Sequence, residues 1–443
     1  MDDGHNRQKK DVLHLGCGHQ LIAGAVNVDV RPGVGADVEM KRILFVQPAV
    51  APPGGGEGLA AWLIEALKRD YRLTLLTWQP IDFEDVNRYF GTDLRASEFE
   101  LWTMPWAARL AKLSPAPVVR LKHLYLQMQA RRYAERFDAV IWAANEADLG
   151  PGGIQYVHYP EALMKAPLSW YHSSAAAVRR YEALTDRLTG FSLERTKRNL
   201  TLANSEFTAR AIREVYGIEA LVVYPPAIGK FPEVPWEQRK DGFVCIGRIQ
   251  PEKSIERMIE ILAAVRAAGP HVHLHVVGKG DSPGYLASIR RLVQANASWV
   301  QLHENIARPE LVDLITAHRY GIHAMHNEPF GMAVAELVSG GCVTFVHNSG
   351  GQVEIVGNDE RLIYSSTEEA VNKIIRAIRE PDYQANLRNH IASRRTLFGS
   401  ERFVSRIRQV MSDYFGAPPD RNPRARKWVS SPETGDEPPG RRP

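Results

Sequence analysis

Asn327-Glu328-Pro329-Phe330-Gly331-Met332-Ala333-Val334-Ala335-Glu336 sets two acids eight positions apart around a Pro-Phe-Gly turn. Proline is favoured in the first turn of a helix, where its missing N–H costs nothing, so the run predicts a helix opening here. Such a helix points unpaired backbone N–H groups and the positive end of its dipole at whatever precedes it. That is a place for a phosphate or a developing negative charge. Glu328 falls in the loop mouth and Glu336 about two turns into the helix, so one faces the reacting part of a ligand and the other its hydroxyls. Two acids alone equally describe a solvated helix start with a capping acid. The surrounding sequence decides between these.

Upstream, Gly247-Arg248-Ile249-Gln250-Pro251-Glu252-Lys253 follows the strand-like run Gly242-Phe243-Val244-Cys245-Ile246. A planar guanidinium and a flexible ammonium in one loop can both reach a single diphosphate. Pro52-Pro53-Gly54-Gly55-Gly56-Glu57-Gly58 precedes a helical pattern. Its glycines let backbone approach a ligand closely and aim N–H groups at it. His158 closes a strand-like run in Tyr156-Val157-His158-Tyr159-Pro160; as a lone histidine it also fits a packed structural role.

The Glu328–Glu336 run resembles the glutamate–x7–glutamate motif of the retaining glycosyltransferases with the GT-B fold, often called family 4. The resemblance implies that Glu328 sits beside a donor sugar and that the backbone amides of Phe330, Gly331 and Met332 contact the distal phosphate and sugar. It also implies that Glu336 holds the ribose. Arg248 and Lys253 then bind the diphosphate of a nucleotide-sugar and stabilise the departing nucleotide. Gly55 and Gly56 lie near the phosphate and acceptor, and His158 hydrogen-bonds the donor sugar. Gly350-Gly351 with Glu354 is similar to a family loop that frames the nucleotide. Catalytic roles therefore go to Glu328, His158, Lys253 and Arg248. No Asp-x-Asp motif is present, so neither a metal nor a cofactor is expected, and fixed cations and amides carry the diphosphate charge.

At 443 residues the chain is too long for one ordinary core, and two domains with tails are expected. Fifty-five basic residues face 51 acidic ones, a balance that argues against nucleic-acid binding by the whole chain. Cys17, Cys245 and Cys342 are too few and scattered for a disulfide framework or a cysteine zinc site, which suits a reducing compartment. No apolar run approaches the ~20 residues that span a bilayer, and the first residues lack a signal-peptide pattern. A cytoplasmic protein is expected, at most peripheral at the inner face of a membrane.

Apolar runs alternate with amphipathic ones from Lys41 onward, the signature of parallel α/β sheets. Strands are expected at 43–46, 73–77, 139–142, 155–158 and 200–204, with a helix from about 59 to 68 and Leu221–Pro226 as an interdomain linker. A second series is expected at 242–247, 273–278, 300–302, 320–324 and 343–346. The fold expected is α/β, with two Rossmann-like doubly wound domains facing across a cleft. The divisions are a 1–40 extension, a 41–226 acceptor domain, a 227–400 donor domain, a C-terminal helix 401–416 packing back on the first domain, and a 417–443 tail. Seven prolines in those last 27 residues read as disorder.

The acceptor is a glycan or a lipid-linked glycan. The stretch around Tyr156–Pro160 is similar to mannosyltransferases that extend lipid-linked oligosaccharides. Residues 107–136 hold seven Lys/Arg and one acid, with Leu121, Leu124, Tyr125 and Met128 at helical spacing. That is either a basic amphipathic helix resting on an anionic membrane or a helix packing its apolar stripe on a sheet. Two rival functions remain. One is a non-catalytic sugar-nucleotide sensor. The other rests on Val12-Leu13-His14-Leu15-Gly16-Cys17-Gly18 and Val26-Asn27-Val28-Asp29, which resemble the opening of S-adenosylmethionine methyltransferases. Forty residues are too few for that domain.

Overall fold

A computed structural model describes residues 40–52, 54–104, 118–163, 175–280 and 282–416. The methyltransferase-like segment, the tail and residues 105–117 of the basic stretch lie outside them.

Two parallel sheets organise the described chain. The first runs β3-β2-β1-β4-β5-β6-β7, built from Arg42–Val46 (β1), Arg72–Thr77 (β2), Glu100–Thr103 (β3), Ala139–Trp142 (β4), Ile154–Val157 (β5), Leu200–Ala203 (β6) and Leu221–Val222 (β7). The second runs β10-β9-β8-β11-β12-β13, built from Lys240–Ile246 (β8), His273–Gly278 (β9), Val300–Glu304 (β10), His318–His323 (β11), Val343–His347 (β12) and Ile363–Tyr364 (β13). In each sheet the order reverses beside the first strand, at β1/β4 and at β8/β11. Such switch points open a crevice at the carboxyl ends of the strands.

From Ile43 to Val46 strand β1 is apolar throughout because helices cover both faces of the sheet. Ile43, Leu44, Phe45 and Val46 are all at most 1% exposed. In register with them lie Leu73–Leu76 on one side and Ala139–Trp142 on the other. Helix Val118–Tyr133 lays Leu126 and Ala130 on Leu44, Val46, Val140 and Trp142. Leu124 is buried as well, whereas Leu121, Tyr125 and Met128 are half-buried. The part of the basic stretch that is described therefore packs its apolar side onto the sheet. No described helix is long and apolar enough to cross a membrane.

The C-terminal helix Ser400–Gly416 buries Phe403, Ile407, Val410 and Met411. Their i, i+4, i+7, i+8 spacing makes one stripe, and that stripe joins the first-domain core with Leu59, Leu63 and Phe90. The chain thus crosses between domains twice, through 223–239 and near Gly399.

Several expectations are corrected. Leu221–Val222 is a strand paired with β6, not linker. The first helix spans Gly55–Leu67, so Gly55 and Gly56 form its first turn instead of a preceding loop. The helix of the motif run spans Met332–Ser339 with Gly331 as N-cap, so Pro329 lies outside it and Glu336 is little more than one turn in. Gly331 has φ 109°, a left-handed conformation that favours glycine and turns the chain into the helix.

Candidate active site

Every loop named from the sequence leaves the carboxyl end of a strand. Arg248 and Lys253 follow β8, Glu328 follows β11, His158 follows β5, and Gly55 and Gly56 follow β1. Gly247, at φ 153°, lets Lys253 lie against its backbone, where a Cβ would stand 3.5 Å from the lysine chain.

The centre is an ion pair. Lys253 Nζ donates to Glu328 Oε2 at 2.5 Å, with the side chains 16% and 14% exposed. Burial alone pushes the Glu328 carboxyl up. Lys253, His323 and Arg248 outweigh it and hold the group below its ordinary value. Glu328 is therefore an anion at neutral pH. Arg248 itself is exposed, and its charge also reaches Glu57 across the cleft, whose pKa burial raises.

His323 was not singled out in the sequence. Its Nδ1 lies 2.6 Å from Gln352 Oε1. The Gln352 amide nitrogen donates to the carbonyls of Met325, His347 and Ser349, which fixes its oxygen toward His323. A carbonyl oxygen only accepts, so Nδ1 carries the proton and Nε2 is the bare nitrogen. That Nε2 lies 3.5 Å from Glu328 Oε2 and is buried without a hydrogen-bond partner. Burial, then Lys253, push this imidazole down to about 4, so it is neutral. A buried unpaired acceptor beside a carboxylate is costly to leave unmade. It suits a site completed by a ligand donor such as a hydroxyl.

Across the cleft, a Cβ on Gly55 would stand 3.5 Å from Met332 Cγ, and one on Gly56 would stand 3.4 Å from His158 Nε2. The first turn of helix Gly55–Leu67, His158 and the start of helix Met332–Ser339 thus converge. His158 Nε2 lies 3.0 Å from Ala143 O and must donate to it. Nδ1 is left as the acceptor nitrogen, and burial lowers the ring's pKa.

Phe330 serves the core with its side chain, 3% exposed and stacked near Tyr224, with ring centroids 5.9 Å apart. Only its backbone is available to a ligand. Glu336 is 5% exposed, and its Oε1 lies 2.8 Å from Arg308 Nη2. The Ile228 amide also donates to it, and burial raises its pKa. Glu336 thus has its partners inside the donor half of the chain. Arg308 is a partner 28 positions away that the sequence did not flag.

The Gly350–Gly351 loop supports the motif. Gly351 N–H donates to Glu328 O at 2.8 Å, and Gly350 bridges Glu328 as a parallel partner. Glu354 is held by the first domain. Its carboxylate accepts from the Glu206 and Phe207 amides at 2.8 Å each, capping helix Glu206–Tyr216 of the first domain. Ser205 Oγ, at the same helix start, donates to Pro329 O at 2.5 Å.

Residues 230–394 match the sequence model of the family described as Glycosyl transferases group 1. A human and a mouse GDP-Man:Man(3)GlcNAc(2)-PP-Dol alpha-1,2-mannosyltransferase are 26% and 30% identical over 170 and 173 residues. Each match spans 34% of this chain and 35% of that relative, so the chain covers about a third of the curated relatives' length. Among solved structures, Anabaena HepE with UDP and glucose superposes with a TM-score of 0.59 at 17% identity, covering 84% of this chain and all of that one. WaaG, a glycosyltransferase involved in lipopolysaccharide biosynthesis, superposes with a TM-score of 0.59 at 14% identity, over 85% of this chain and all of that one. Residues 230–394 are thus similar to the glycosyl transferases group 1 family, and the chain that carries them has the GT-B fold.

Proposed function

We propose that the protein transfers a sugar from a nucleoside-diphosphate-sugar to an acceptor hydroxyl, with retention at the anomeric carbon. The observation that carries this reading is the Lys253–Glu328 pair, set at a β8/β11 switch point opposite the first turn of helix Gly55–Leu67. In this reading Lys253 and Arg248 neutralise the charge growing on the departing diphosphate. The amides at Gly55, Gly56 and the start of helix Met332–Ser339 hold its oxygens. Glu328, with bare His323 Nε2 beside it, attends hydroxyls of the sugar, and His158 offers Nδ1 as a further acceptor. Each well-placed fixed donor is worth roughly 3 kcal/mol against developing charge. Glu336 reaches the ribose in this reading by way of its pair with Arg308. No metal ion or cofactor is invoked for the transfer.

The relatives that match the second domain support a mannosyltransferase-like activity on a glycan or lipid-linked glycan. A thermal-shift panel of GDP-, UDP- and ADP-sugars identifies the donor, since a ligand of the native state raises its melting temperature. Product NMR then reads the anomeric configuration. Glu328→Ala and Lys253→Ala are expected to abolish transfer while the protein stays folded. Wild-type turnover in either variant sinks the assignment.

A further inference from the structure

A second cluster of titratable groups lies on the donor-domain sheet, away from the crevice. His273 is the first residue of β9, His275 the third, and His318 the first residue of β11. The strands flank β8, whose Gly242 is in register with His273. A Cβ on Gly242 would stand 2.2 Å from His273 Nε2, so the glycine is what leaves room for the ring. His318 Nε2 lies 3.0 Å from that same His273 Nε2, and the His275 and His318 rings are 4.6 Å apart between centroids. One nitrogen from each of the three falls within 4.8 Å of the others. The charges of Lys240, Asp241 and Arg266 act on His273, that of Lys240 also on His275, and that of Glu310 on His303.

The outer nitrogens are anchored. His318 Nδ1 lies 2.6 Å from Leu314 O, in the last turn of helix Arg308–Thr316, and must donate to it. Its Nε2 therefore carries the lone pair that faces His273. His275 Nδ1 meets His303 Nε2 of β10 at 2.8 Å. A ring N–H given to a carbonyl or a neighbouring acceptor is how metal-binding imidazoles are oriented. In the metal-free chain His273 Nε2 then donates to His318 Nε2, and a cation takes that proton's place as the His273 ring shifts its proton to Nδ1. His275 and His318 are buried while His273 and His303 are half-exposed, so an ion has a way in.

We infer that His273, His275 and His318 form a binding site for a divalent transition ion of the zinc class, with His303 orienting His275 and an open fourth position. Three imidazoles suit Zn(II), Co(II), Ni(II) and Cu(II) over Mg(II) or Ca(II). The ion joins β9 to β11 over Gly242 and ties both to helix Arg308–Thr316. Its role is structural, and it stands apart from the Lys253–Glu328 crevice.

The test uses the full chain without a histidine tag, stripped by a chelator and dialysed. Zn(II) is titrated by calorimetry, and Co(II) by its visible absorption. One saturable equivalent per chain is expected, with the intense Co(II) bands of low coordination and a raised melting temperature. His275→Gln and Gly242→Ala, each checked for native circular dichroism, are expected to weaken binding by more than about tenfold. Gly242→Ala keeps every imidazole and removes only the room for His273. Absence of a saturable Zn(II) or Co(II) site in the wild-type chain overturns the inference whatever the variants do. So does wild-type affinity retained in both folded variants.

Discussion

Replacing Lys253 by methionine removes the cation beside Glu328 while keeping most of the side chain's volume. The pair is short, at 2.5 Å, and both side chains are largely shielded, at 16% and 14% exposure. Breaking such a pair from one side costs roughly 3–5 kcal/mol, because the other charge stays buried and uncompensated. For a domain of this size that is on the order of 10 °C in melting temperature. Glu328 then responds through its own titration. In the wild type its folded pKa lies below the ordinary 4.5, so its stabilisation is present above 4.5 and lost as pH falls through the lower folded value. In Lys253→Met, burial is opposed only by its remaining neighbours, and the folded pKa rises. An acid with a raised folded pKa costs stability above that pKa, and the cost fades as pH falls toward 4.5. The deficit of the variant should therefore be largest at neutral pH and shrink on mild acidification. Lys253→Met/Glu328→Gln carries neither charge and should recover most of the loss, since replacing both partners is often near neutral. Calorimetric melting at a series of pH values from 5 to 8 reads all three proteins. A pH-independent deficit, or a double variant no more stable than the single one, refutes this account of the pair.

Three further perturbations test its surroundings. Gly350 has φ 78°, and a Cβ there would stand 2.3 Å from Glu328 O, so Gly350→Ala should cost at least about 1–3 kcal/mol and weaken donor binding. A Gly350→Ala protein with wild-type melting and affinity would show that the loop does not hold Glu328. Ser205 caps helix Glu206–Tyr216 through the Thr208 amide at 3.0 Å as well as bonding Pro329; Ser205→Ala should cost about 1 kcal/mol in chemical denaturation. Ile407→Ala removes a side chain 2% exposed in the first-domain core and should cost roughly 2–5 kcal/mol. Protease cleavage within 400–416 should rise accordingly, and an unchanged cleavage rate would mean the C-terminal helix is not needed there.

The buried strands were legible because they are continuous apolar runs between turn signals. Glu100–Thr103 was not, since it is an edge strand with two exposed residues and a charge at its start. Leu221–Val222 and Ile363–Tyr364 are two residues each, shorter than any periodicity can mark, and the two prolines after Val223-Tyr224 pointed to linker. The start of helix Gly55–Leu67 was hidden by three glycines, which local propensity reads as loop and tertiary packing overrides. In the site, Lys253 and Glu328 were readable as charges in loops after strands. The long-range pairings were not. Arg308 closes on Glu336, Glu354 caps a helix 148 positions away, and His318 meets His273 across 45 positions. Such pairings come from the strand order and leave no local spacing to find.

The hydrogen bonds between the domains at the crevice fall on the very loops that carry the chemistry. Pro329 O takes the Ser205 hydroxyl, Glu354 takes the Glu206 and Phe207 amides, and Met332 stands against Gly55. Glu354 sits just beyond the glycines that hold Glu328, so the motif loop is tied through it to the first domain. If a donor phosphate enters between Gly55 and Met332, the Ser205 and Glu354 contacts open with it. Those contacts exchange with water on opening, so each is worth only about 1 kcal/mol net, somewhat more for the carboxylate. One such contact changes an opening equilibrium about fivefold. Ser205→Ala removes one such contact without touching a group assigned to the donor. It should therefore speed donor association several-fold while leaving Lys253 and Glu328 in place. An association rate equal to the wild type's in stopped flow would show that the donor enters without separating the domains at this contact.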